Sequence, residues 1–344
     1  MELEKAEHVT IAKSMVDSFK SLTVSCNGTT IRCVNNPKLQ LTKSMRVVSP
    51  ISERNPLLRR SNLTKLIFGT GIYSYEVIQP FGVLPHGIEF GETSHVALDS
   101  KDRIYLTQRY GIPILVFDSQ GNFLTGLGEG QILDAHGIFI NDKDEIFLVD
   151  RDAHEILMLD TEGNILLRIG SRGKPSNQAP FNHPCDVAVA PSGDIFVADG
   201  YGNSNVHRFS PEGKHLKSWG QPGKEPTQLT APLGIWVDLQ NRVYVSDWEN
   251  SRVKIFSPEG DPIDEWLDLY HPMDIFIDHN GIAYVTDQTP RFTVLDRNGK
   301  VLSRGKAPDV GRGIWGDSAG NLYLTGDFPG AAGSFKGMVK FKKQ

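Results

Sequence analysis

The sequence predicts an all-β fold, a six-bladed β-propeller, preceded by a small α/β extension. Three observations support this prediction: an internal repeat of about 40 to 45 residues, a strand–turn–strand pattern in each copy, and a spare strand before the first copy. The 344 residues include 34 glycines and 20 prolines, so turns are frequent and long helices are few. A single propeller domain accommodates a chain of this length.

Each copy of the repeat consists of a short apolar run, a turn rich in Asp, Asn and Gly, and a second apolar run. The first runs end at residues separated by 42, 49, 48, 40 and 39 positions, namely Asp99, Asn141, Ala190, Asp238, Asp278 and Asp317. Two further runs follow most copies, which gives the four antiparallel strands of a propeller blade. The sixth copy has only three strands, and residues 73–81 provide a strand that would close the ring and cover its open edge. We therefore assign residues 73–344 to the propeller.

Residues 1–72 do not share the repeat and form a predicted N-terminal extension. Apolar residues at spacings of three and four predict an amphipathic helix over residues 3–20. The dipeptide Asn27-Gly28 lies between two β-type runs and predicts a hairpin. Cys26 and Cys33 are not cross-strand partners about that turn. We interpret the extension as a cap or packing arm.

The composition argues against several classes of partner. The chain has 36 basic and 41 acidic residues, a net charge of −5, and no basic block, which argues against a nucleic-acid partner. No run approaches the roughly 20 apolar residues that span a bilayer, and the first residues lack the pattern of a secretory signal. Three cysteines without metal-binding spacing fit a reducing compartment. We expect a cytoplasmic protein without a membrane partner; its oligomeric state is left open.

The first strand of each propeller blade lines the central channel, so its leading residues face one mouth of that channel. One ring, five residues before the anchors of the repeat, consists of Ser94, His136, Cys185, Leu233, Met273 and Arg312. The next ring, four residues before the anchors, consists of His95, Gly137, Asp186, Gly234, Asp274 and Gly313. The loops that leave the second strands add Arg109, Arg151, Tyr201 and Trp248.

These residue types predict a small polar pocket that binds a small-molecule substrate. Arginine side chains bind carboxylates through two parallel hydrogen bonds, and imidazole or phenol groups can donate and accept protons in catalysis. Arg109, His136 and Tyr201 come from successive blades and would converge, so we predict a catalytic role for them. Predicted substrate-binding residues are Arg109, Arg151, Trp248, Asp186, His95 and Met273. For Trp248 two roles fit the sequence equally well: its ring would stack on a ligand, or it would fill the mouth of the channel. Asp199, Asp247 and Asp287 recur at one repeat position, which indicates turn-capping structure.

Several stretches resemble the NHL-repeat six-bladed propellers and, among them, the peptidylamidoglycolate lyase family. The strongest are AHGIFINDKDEIFLVD, FGETSHVALDSKDRIYLTQR and PFNHPCDVAVAPSGDIFVADGYGNSNVHRFSPEGKHLKSWG, and the resemblance covers roughly residue 73 to the C-terminus. It implies a lyase that splits its substrate into an amide and glyoxylate, with a channel zinc held by three histidines. Carried over residue by residue, the family arginine resembles Arg109, the tyrosine Tyr201, and the first zinc histidine His136.

The chain departs from this pattern at the other two zinc positions. Leu233 and Arg312 stand where histidines are expected, and Gly313 stands where the family has an acidic calcium ligand. A catalytic Zn²⁺ takes three protein ligands, which one imidazole does not supply. We therefore expect no metal cofactor, with His136 as a ligand only if a metal is bound. Zinc and calcium stay open as ions that would enter through other histidines, namely His95, His183 or His271.

The expected function is a lyase-type enzyme that acts on a small hydroxylated or carboxylated substrate without zinc. A guanidinium can replace a metal as the electrostatic stabiliser of an oxyanion. Arg109 and Arg312 would bind the acid group or oxyanion, and Tyr201 or His136 would move the proton. Arg312 thus completes the predicted catalytic set.

Two alternatives come from other functional classes. A calcium-dependent lactonase-type hydrolase would use a channel cluster of Glu, Asn and Asp side chains, of which Asp186 and Asp274 offer a part. A non-catalytic NHL protein-binding module would present an extended mouth to a protein partner, and substitution of pocket residues would then affect no turnover.

Overall fold

The computed structural model describes residues 21–26, 29–34, 65–177, 179–308, 311–326 and 336–344. The chain divides into two compact units, Met1–Asn62 and Leu63–Gln344. In the first unit, strands β1 (Ser21–Cys26) and β2 (Thr29–Val34) form the predicted hairpin. Cys33 lies opposite Leu22 and Cys26 opposite Thr29, so the two cysteines are not cross-strand partners. The helix predicted over residues 3–20 lies outside the described residues.

The described part of the second unit forms six antiparallel sheets, which confirms the six-bladed β-propeller. The first blade contains β5 (Thr93–Leu98), β6 (Ile104–Gln108), β7 (Ile114–Phe117) and β8 (Phe123–Leu127). The second contains β9 (Ala135–Ile140), β10 (Ile146–Asp150), β11 (Glu155–Leu159) and β12 (Ile165–Gly170). The third contains β13 (Asp186–Val189), β14 (Ile195–Asp199), β15 (Asn205–Phe209) and β16 (His215–Trp219). The fourth contains β17 (Pro232–Val237), β18 (Val243–Asp247), β19 (Arg252–Phe256) and β20 (Pro262–Trp266). The fifth contains β21 (Pro272–Ile277), β22 (Ala283–Asp287), β23 (Arg291–Leu295) and β24 (Val301–Lys306).

The sixth sheet closes the ring with strands from both ends of the propeller. Its order is β25 (Ile314–Gly316), β26 (Leu322–Thr325), β27 (Met338–Lys343), β4 (Tyr73–Phe81) and β3 (Ile67–Thr70). The pairing of β27 with β4 is the closure predicted from the spare strand. The outer strand β3 was not predicted. It lies within residues 1–72, which were assigned to the N-terminal extension, so the propeller sheet begins before residue 73. Its four residues include Gly69 and lie outside the repeat, so no periodicity marks them.

The blades are held to their connecting loops by a repeated carboxylate. Asp150, Asp199 and Asp247 each end a second strand and are fully buried. Each accepts backbone N–H groups from the loop that leads into the first strand of its own blade; Asp199, for example, accepts the N–H of Asn182 at 3.1 Å. These contacts satisfy loop donors that would otherwise be buried without a partner, and they agree with the structural role predicted for this repeat position.

An aromatic plug fills the channel between its two mouths. It consists of Phe139, Trp236, Phe276 and Trp315, whose ring centroids lie 4.9 to 5.7 Å apart in tilted and edge-to-face pairs. One mouth is lined by the residues that begin the first strands, and the other by the turns that end them. The described residues contain no helix long and apolar enough to cross a membrane.

Candidate functional site

The candidate site is a pocket at the mouth where the first strands begin. It has about 310 Å³ of empty space, which includes space open to solvent. Its lining contains every member of the first predicted ring and part of the second: Ser94, His95, His136, Cys185, Asp186, Tyr201, Leu233, Gly234, Met273, Asp274 and Arg312. The structure thus brings together residues from all six blades. Consecutive positions such as Met273 and Asp274 both line the pocket, because the pairing of the first strands shifts in register where they begin.

Three polar side chains meet at one side of this pocket. The Tyr201 hydroxyl lies 3.1 Å from His136 Nε2 and accepts a hydrogen bond from Arg312 Nη2 at 3.3 Å. Arg312 Nη2 also lies 3.4 Å from His136 Nε2. His136 Nδ1 lies 2.7 Å from the carbonyl oxygen of Cys185, which fixes the proton on Nδ1 and leaves Nε2 as an acceptor. The Tyr201 hydroxyl can therefore donate to His136 while it accepts from Arg312.

The electrostatics of this triad keep both titratable groups neutral near pH 7. Burial and the positive charge of Arg312 hold the pKa of His136 well below its ordinary range. Burial raises the pKa of Tyr201 above its usual value, although the guanidinium groups of Arg312 and Arg151 act in the opposite direction. Arg151 lies over the Tyr201 ring, with its guanidinium carbon 5.3 Å from the ring centroid. The site therefore contains a neutral phenol, a neutral imidazole and a fixed cation.

The two loop arginines predicted for substrate binding lie in ion pairs beside the pocket. Arg109 forms a two-point contact with Asp134, with both N···O distances 3.1 Å, and donates to Glu92 at 2.9 Å. Arg151 pairs with Asp134 and Asp152. All three nitrogens of the Arg109 guanidinium already donate to carboxylates. Arg109 is therefore not placed to make a bidentate contact with a ligand in this arrangement. Neither arginine lines the pocket.

Glu92 connects these ion pairs to the pocket. Its Oε1 accepts from Arg109 Nη1 at 2.9 Å and from Arg312 Nη1 at 3.3 Å. Sequence reasoning missed Glu92 and Asp134. Both lie in the loops that lead into first strands, Asp134 two residues before His136. Their positions beside the channel strands could have identified them, because residues that flank a channel strand face the same mouth.

Part of the pocket lining is apolar. Leu233, Met273 and the buried Cys185 form one cluster, and Trp248 packs against it from outside the lining. The Trp248 ring also lies 5.2 Å from that of His271. Burial raises the pKa of the Cys185 thiol, so this cysteine is not a thiolate nucleophile near neutral pH. The pocket therefore has a polar wall and an apolar wall.

A second polar cluster lies deeper in the channel, at the floor of the pocket. His95 Nε2 lies 2.9 Å from Asp274 Oδ2 and 3.9 Å from Asp186 Oδ1, and all three side chains are buried. Burial alone would lower the pKa of His95, but the two carboxylates outweigh it and raise that pKa to about 9. Burial raises the pKa of Asp186 to about 7, although His95 opposes this shift. These groups come from the second predicted ring.

Two other histidines named in the sequence analysis lie away from both clusters. The backbone N–H of His183 donates to His154 Nδ1 at 3.0 Å, and its ring lies edge-on to that of His154. His271 Nδ1 lies 3.0 Å from the carbonyl oxygen of Trp248. Neither His183 nor His271 lines the pocket.

The donor set at the mouth does not fit a zinc ion. The three positions where the resembled family has zinc histidines are occupied by His136, Leu233 and Arg312, which together supply a single imidazole. The free nitrogen of that imidazole faces a guanidinium 3.4 Å away, and a dication placed there would be repelled by it.

Comparison with known proteins agrees with this fold. The family model of the NHL repeat matches residues 181–209. The chain is a six-bladed β-propeller that contains a match to the NHL repeat, and part of its sequence is similar to peptidylamidoglycolate lyases.

The particular relatives are matched over part of their length. The chain is 40% identical over 90 residues to the mouse peptidyl-glycine alpha-amidating monooxygenase, which is 24% of this chain and 9% of that protein. It is 41% identical over 91 residues to a probable peptidyl-alpha-hydroxyglycine alpha-amidating lyase of Caenorhabditis elegans, which is 25% of this chain and 26% of that protein. Among solved structures, a gluconolactonase from Xanthomonas campestris matches with a TM-score of 0.60 at 16% identity, covering 79% of this chain and 90% of that one. This last similarity concerns the fold alone.

Proposed function

We propose that the chain is a lyase that cleaves a small α-hydroxylated, carboxylate-bearing substrate in the mouth pocket without zinc at the positions that the family uses. The observation that carries this proposal is the contact among the Tyr201 hydroxyl, His136 Nε2 and Arg312 Nη2, at 3.1 to 3.4 Å. It joins a proton donor, a proton acceptor and a fixed positive charge. The partial similarity to amidating lyases supports the reaction class.

The two walls of the pocket suggest how such a substrate would lie. An N-acyl α-hydroxyglycine, the substrate class in the name of the worm relative, has a carboxylate at one end and an acyl group at the other. Arg312 is the guanidinium in the lining, and it would bind the carboxylate. Leu233 and Met273 would contact the acyl side, because burial of apolar surface favours that orientation.

The chemical step needs a base for the substrate hydroxyl and an acid for the leaving nitrogen. The hydroxyl proton passes to Tyr201 as the Tyr201 proton passes to His136 Nε2. The C–O bond becomes C=O, the C–N bond breaks, and its electron pair stays on nitrogen. Tyr201 then protonates that nitrogen and recovers its own proton from His136. The products are a primary amide and glyoxylate, and no water is consumed.

Substrate binding would prepare His136 for this step. In the free pocket, the charge of Arg312 holds the pKa of His136 down and makes the imidazole a weak base. A bound carboxylate on Arg312 offsets that charge, so the pKa of His136 rises when the substrate is in place. Proton transfer is then favoured only with a ligand that has the acid group.

Arg109 contributes to this arrangement through Glu92. It holds Glu92 at 2.9 Å, and Glu92 in turn accepts from Arg312 at 3.3 Å. We assign Arg109 a positioning role, because its nitrogens are engaged by carboxylates and it does not line the pocket.

A substrate panel tests the proposed function. The purified full chain would be incubated with N-acyl α-hydroxyglycines and with hydroxy acids that lack the amide, and the products would be identified by mass spectrometry. We expect a primary amide and glyoxylate from the former. Tyr201→Phe should lose this activity, whereas Tyr110→Phe, which changes a phenol exposed beside Arg109, should retain it. Equal turnover in both variants, or none in the wild type on any substrate, would contradict the proposal.

A further inference from the structure

The floor of the pocket contains a ring in which polar and glycine residues alternate from blade to blade. His95, Asp186 and Asp274 come from the first, third and fifth blades. Glycines occupy the same position in the second, fourth and sixth blades, at Gly137, Gly234 and Gly313. The three polar side chains therefore converge on the channel axis from alternate blades, one layer deeper than the Tyr201–His136–Arg312 contact.

The glycines have no side chains, and this leaves room in the ring for the three polar side chains. A Cβ on Gly137 would lie 2.5 Å from Asp186 Oδ1, and one on Gly234 would lie 2.9 Å from Asp274 Oδ1. A Cβ on Gly313 would lie 3.0 Å from His95 Cγ. Distances below about 3 Å are not tolerated between such atoms, so any larger residue at Gly137 or Gly234 would clash with the carboxylate and with the backbone of the neighbouring first strand. The ring is built around this cluster.

Each of the three side chains is fixed by the backbone and keeps an atom directed at the others. His95 Nδ1 lies 3.1 Å from the carbonyl oxygen of Val96, which directs Nε2 toward the two carboxylates. Asp186 Oδ2 accepts the N–H of Ile235 at 2.9 Å, and Asp274 Oδ2 accepts that of Ile314 at 2.8 Å. These contacts orient the side chains as outer contacts orient the ligands of metal sites.

One of the inward atoms, Asp186 Oδ1, is buried and accepts no hydrogen bond, in a residue that is 4% exposed. His95 Nε2 lies between the two carboxylates, 2.9 Å from Asp274 Oδ2 and 3.9 Å from Asp186 Oδ1. Unpaired polar atoms at this depth are rare and require an explanation. One ligand atom from each of the three side chains lies within 4.8 Å of the others, a spacing that a single ion can bridge.

We propose that His95, Asp186 and Asp274 bind one transition-metal dication of the Zn²⁺ type at the floor of the pocket. One imidazole and two carboxylates are ligands that Zn²⁺ takes, and three protein ligands leave a position open toward the pocket. Ca²⁺ is disfavoured because it takes six to eight oxygen ligands, whereas this cluster has a nitrogen and two carboxylates. The ion would neutralise the two buried carboxylates and connect the first, third and fifth blades. The proposed lyase chemistry does not use this ion.

Metal titration of the full chain tests the site directly. The protein would be stripped with a chelator and titrated with Zn²⁺ by calorimetry, with Ca²⁺ as a comparison. We expect one equivalent of Zn²⁺ per chain and a melting temperature raised by roughly 3 to 5 °C at a metal concentration about 100 times the Kd. Tighter binding of Ca²⁺ than of Zn²⁺, or no binding of either, would overturn the assignment.

Variants locate the ion within the channel. Asp186→Asn keeps the shape of the side chain and removes a ligand charge, so it should weaken Zn²⁺ binding on the order of 100-fold or more, since even the loss of an outer contact costs about 10- to 100-fold. His271→Gln, which changes an imidazole outside the cluster, should bind as the wild type does. Unchanged affinity in Asp186→Asn would overturn the proposal.

A spectroscopic measurement on the wild type covers the case in which Asp186→Asn does not fold. Co²⁺ bound by this cluster should give visible absorption bands of a four- or five-coordinate site, and added Zn²⁺ should abolish them. Bands that persist with excess Zn²⁺, or the spectrum of hydrated Co²⁺ alone, would contradict the site. These readouts do not depend on turnover, so a failure of the proposed lyase function would leave them interpretable.

Discussion

The substitution Arg312→Met removes the cation on which the proposed chemistry depends and keeps a side chain of similar length. Arg312 is 10% exposed and contacts Tyr201, His136 and Glu92 at 3.3 to 3.4 Å. Glu92 keeps its 2.9 Å contact with Arg109 in the variant, so the substitution leaves no carboxylate without a partner. The fold should therefore tolerate this change.

The expected loss of activity follows from the charge that Arg312 offers to the substrate. A hydrogen bond between charged groups contributes about 1.5 to 3 kcal/mol, and a unit charge about 4 Å away contributes up to about 4 kcal/mol at an effective dielectric constant near 20. At about 1.4 kcal/mol for each tenfold change, kcat/KM should fall about 10- to 1000-fold. Most of the loss should appear in KM, because Arg312 contacts the carboxylate in the bound substrate as well as in the transition state. Removal of its charge raises the pKa of His136, so the substitution does not weaken the base itself.

The assay is glyoxylate release from an N-acyl α-hydroxyglycine, with the melting temperature measured in parallel. Arg208→Met is the matched control, since Arg208 forms its ion pairs with Asp194 and Glu259 on the outside of the third blade. Wild-type kcat/KM in Arg312→Met, or an equal loss in Arg208→Met, would refute the reasoning.

Three further predictions concern the same pocket. Tyr201→Phe should lower kcat about 100- to 10,000-fold with the melting temperature nearly unchanged, as measured by steady-state kinetics and calorimetry; a small effect would exclude Tyr201 as the proton carrier. Asp134→Asn should lower the free energy of unfolding by about 1 to 3 kcal/mol in urea titration, because Arg109 and Arg151 lose a shared buried partner; unchanged stability would contradict this. The lowered pKa of His136 means that the folded protein binds fewer protons than the unfolded chain below about pH 6.5, so stability should fall as the pH drops below that value. His136→Gln should show a smaller decrease between pH 6.5 and 5, and an identical slope would disprove this contribution.

The architecture could be predicted because each blade repeats the same local pattern. The spacing from Asp99 to Asp317 gives the blades, and Tyr73–Phe81 closes the ring as the spare strand. The strand Ile67–Thr70 was missed because it pairs outside β4 and has no counterpart in the repeat.

The site was predictable where a side chain's position depends on its own strand. Counting back from the anchors placed His136, Met273 and Arg312 in the pocket, since strand geometry fixes the direction of each side chain. The pairing of Arg109 with Glu92 could not be predicted, because it depends on where a loop end lies relative to a neighbouring side chain. The sequence therefore gave no sign that Arg109 is engaged by carboxylates rather than open to a ligand.

The contact of Tyr201, His136 and Arg312 is a property of the fold, whereas the lyase reaction is inferred from that contact and from the resemblance. The alternatives, a lactonase-type hydrolase and a binding module, predict different products from the same substrates.

The most direct test of the lyase proposal is turnover of an N-acyl α-hydroxyglycine by the wild-type chain in H₂¹⁸O, followed by mass spectrometry of the products. The proposed mechanism consumes no water, so it predicts equimolar primary amide and glyoxylate, with no ¹⁸O in the amide or in the glyoxylate carboxylate. A carboxylic acid that has gained ¹⁸O, as hydrolysis would give, or the absence of turnover, would contradict it.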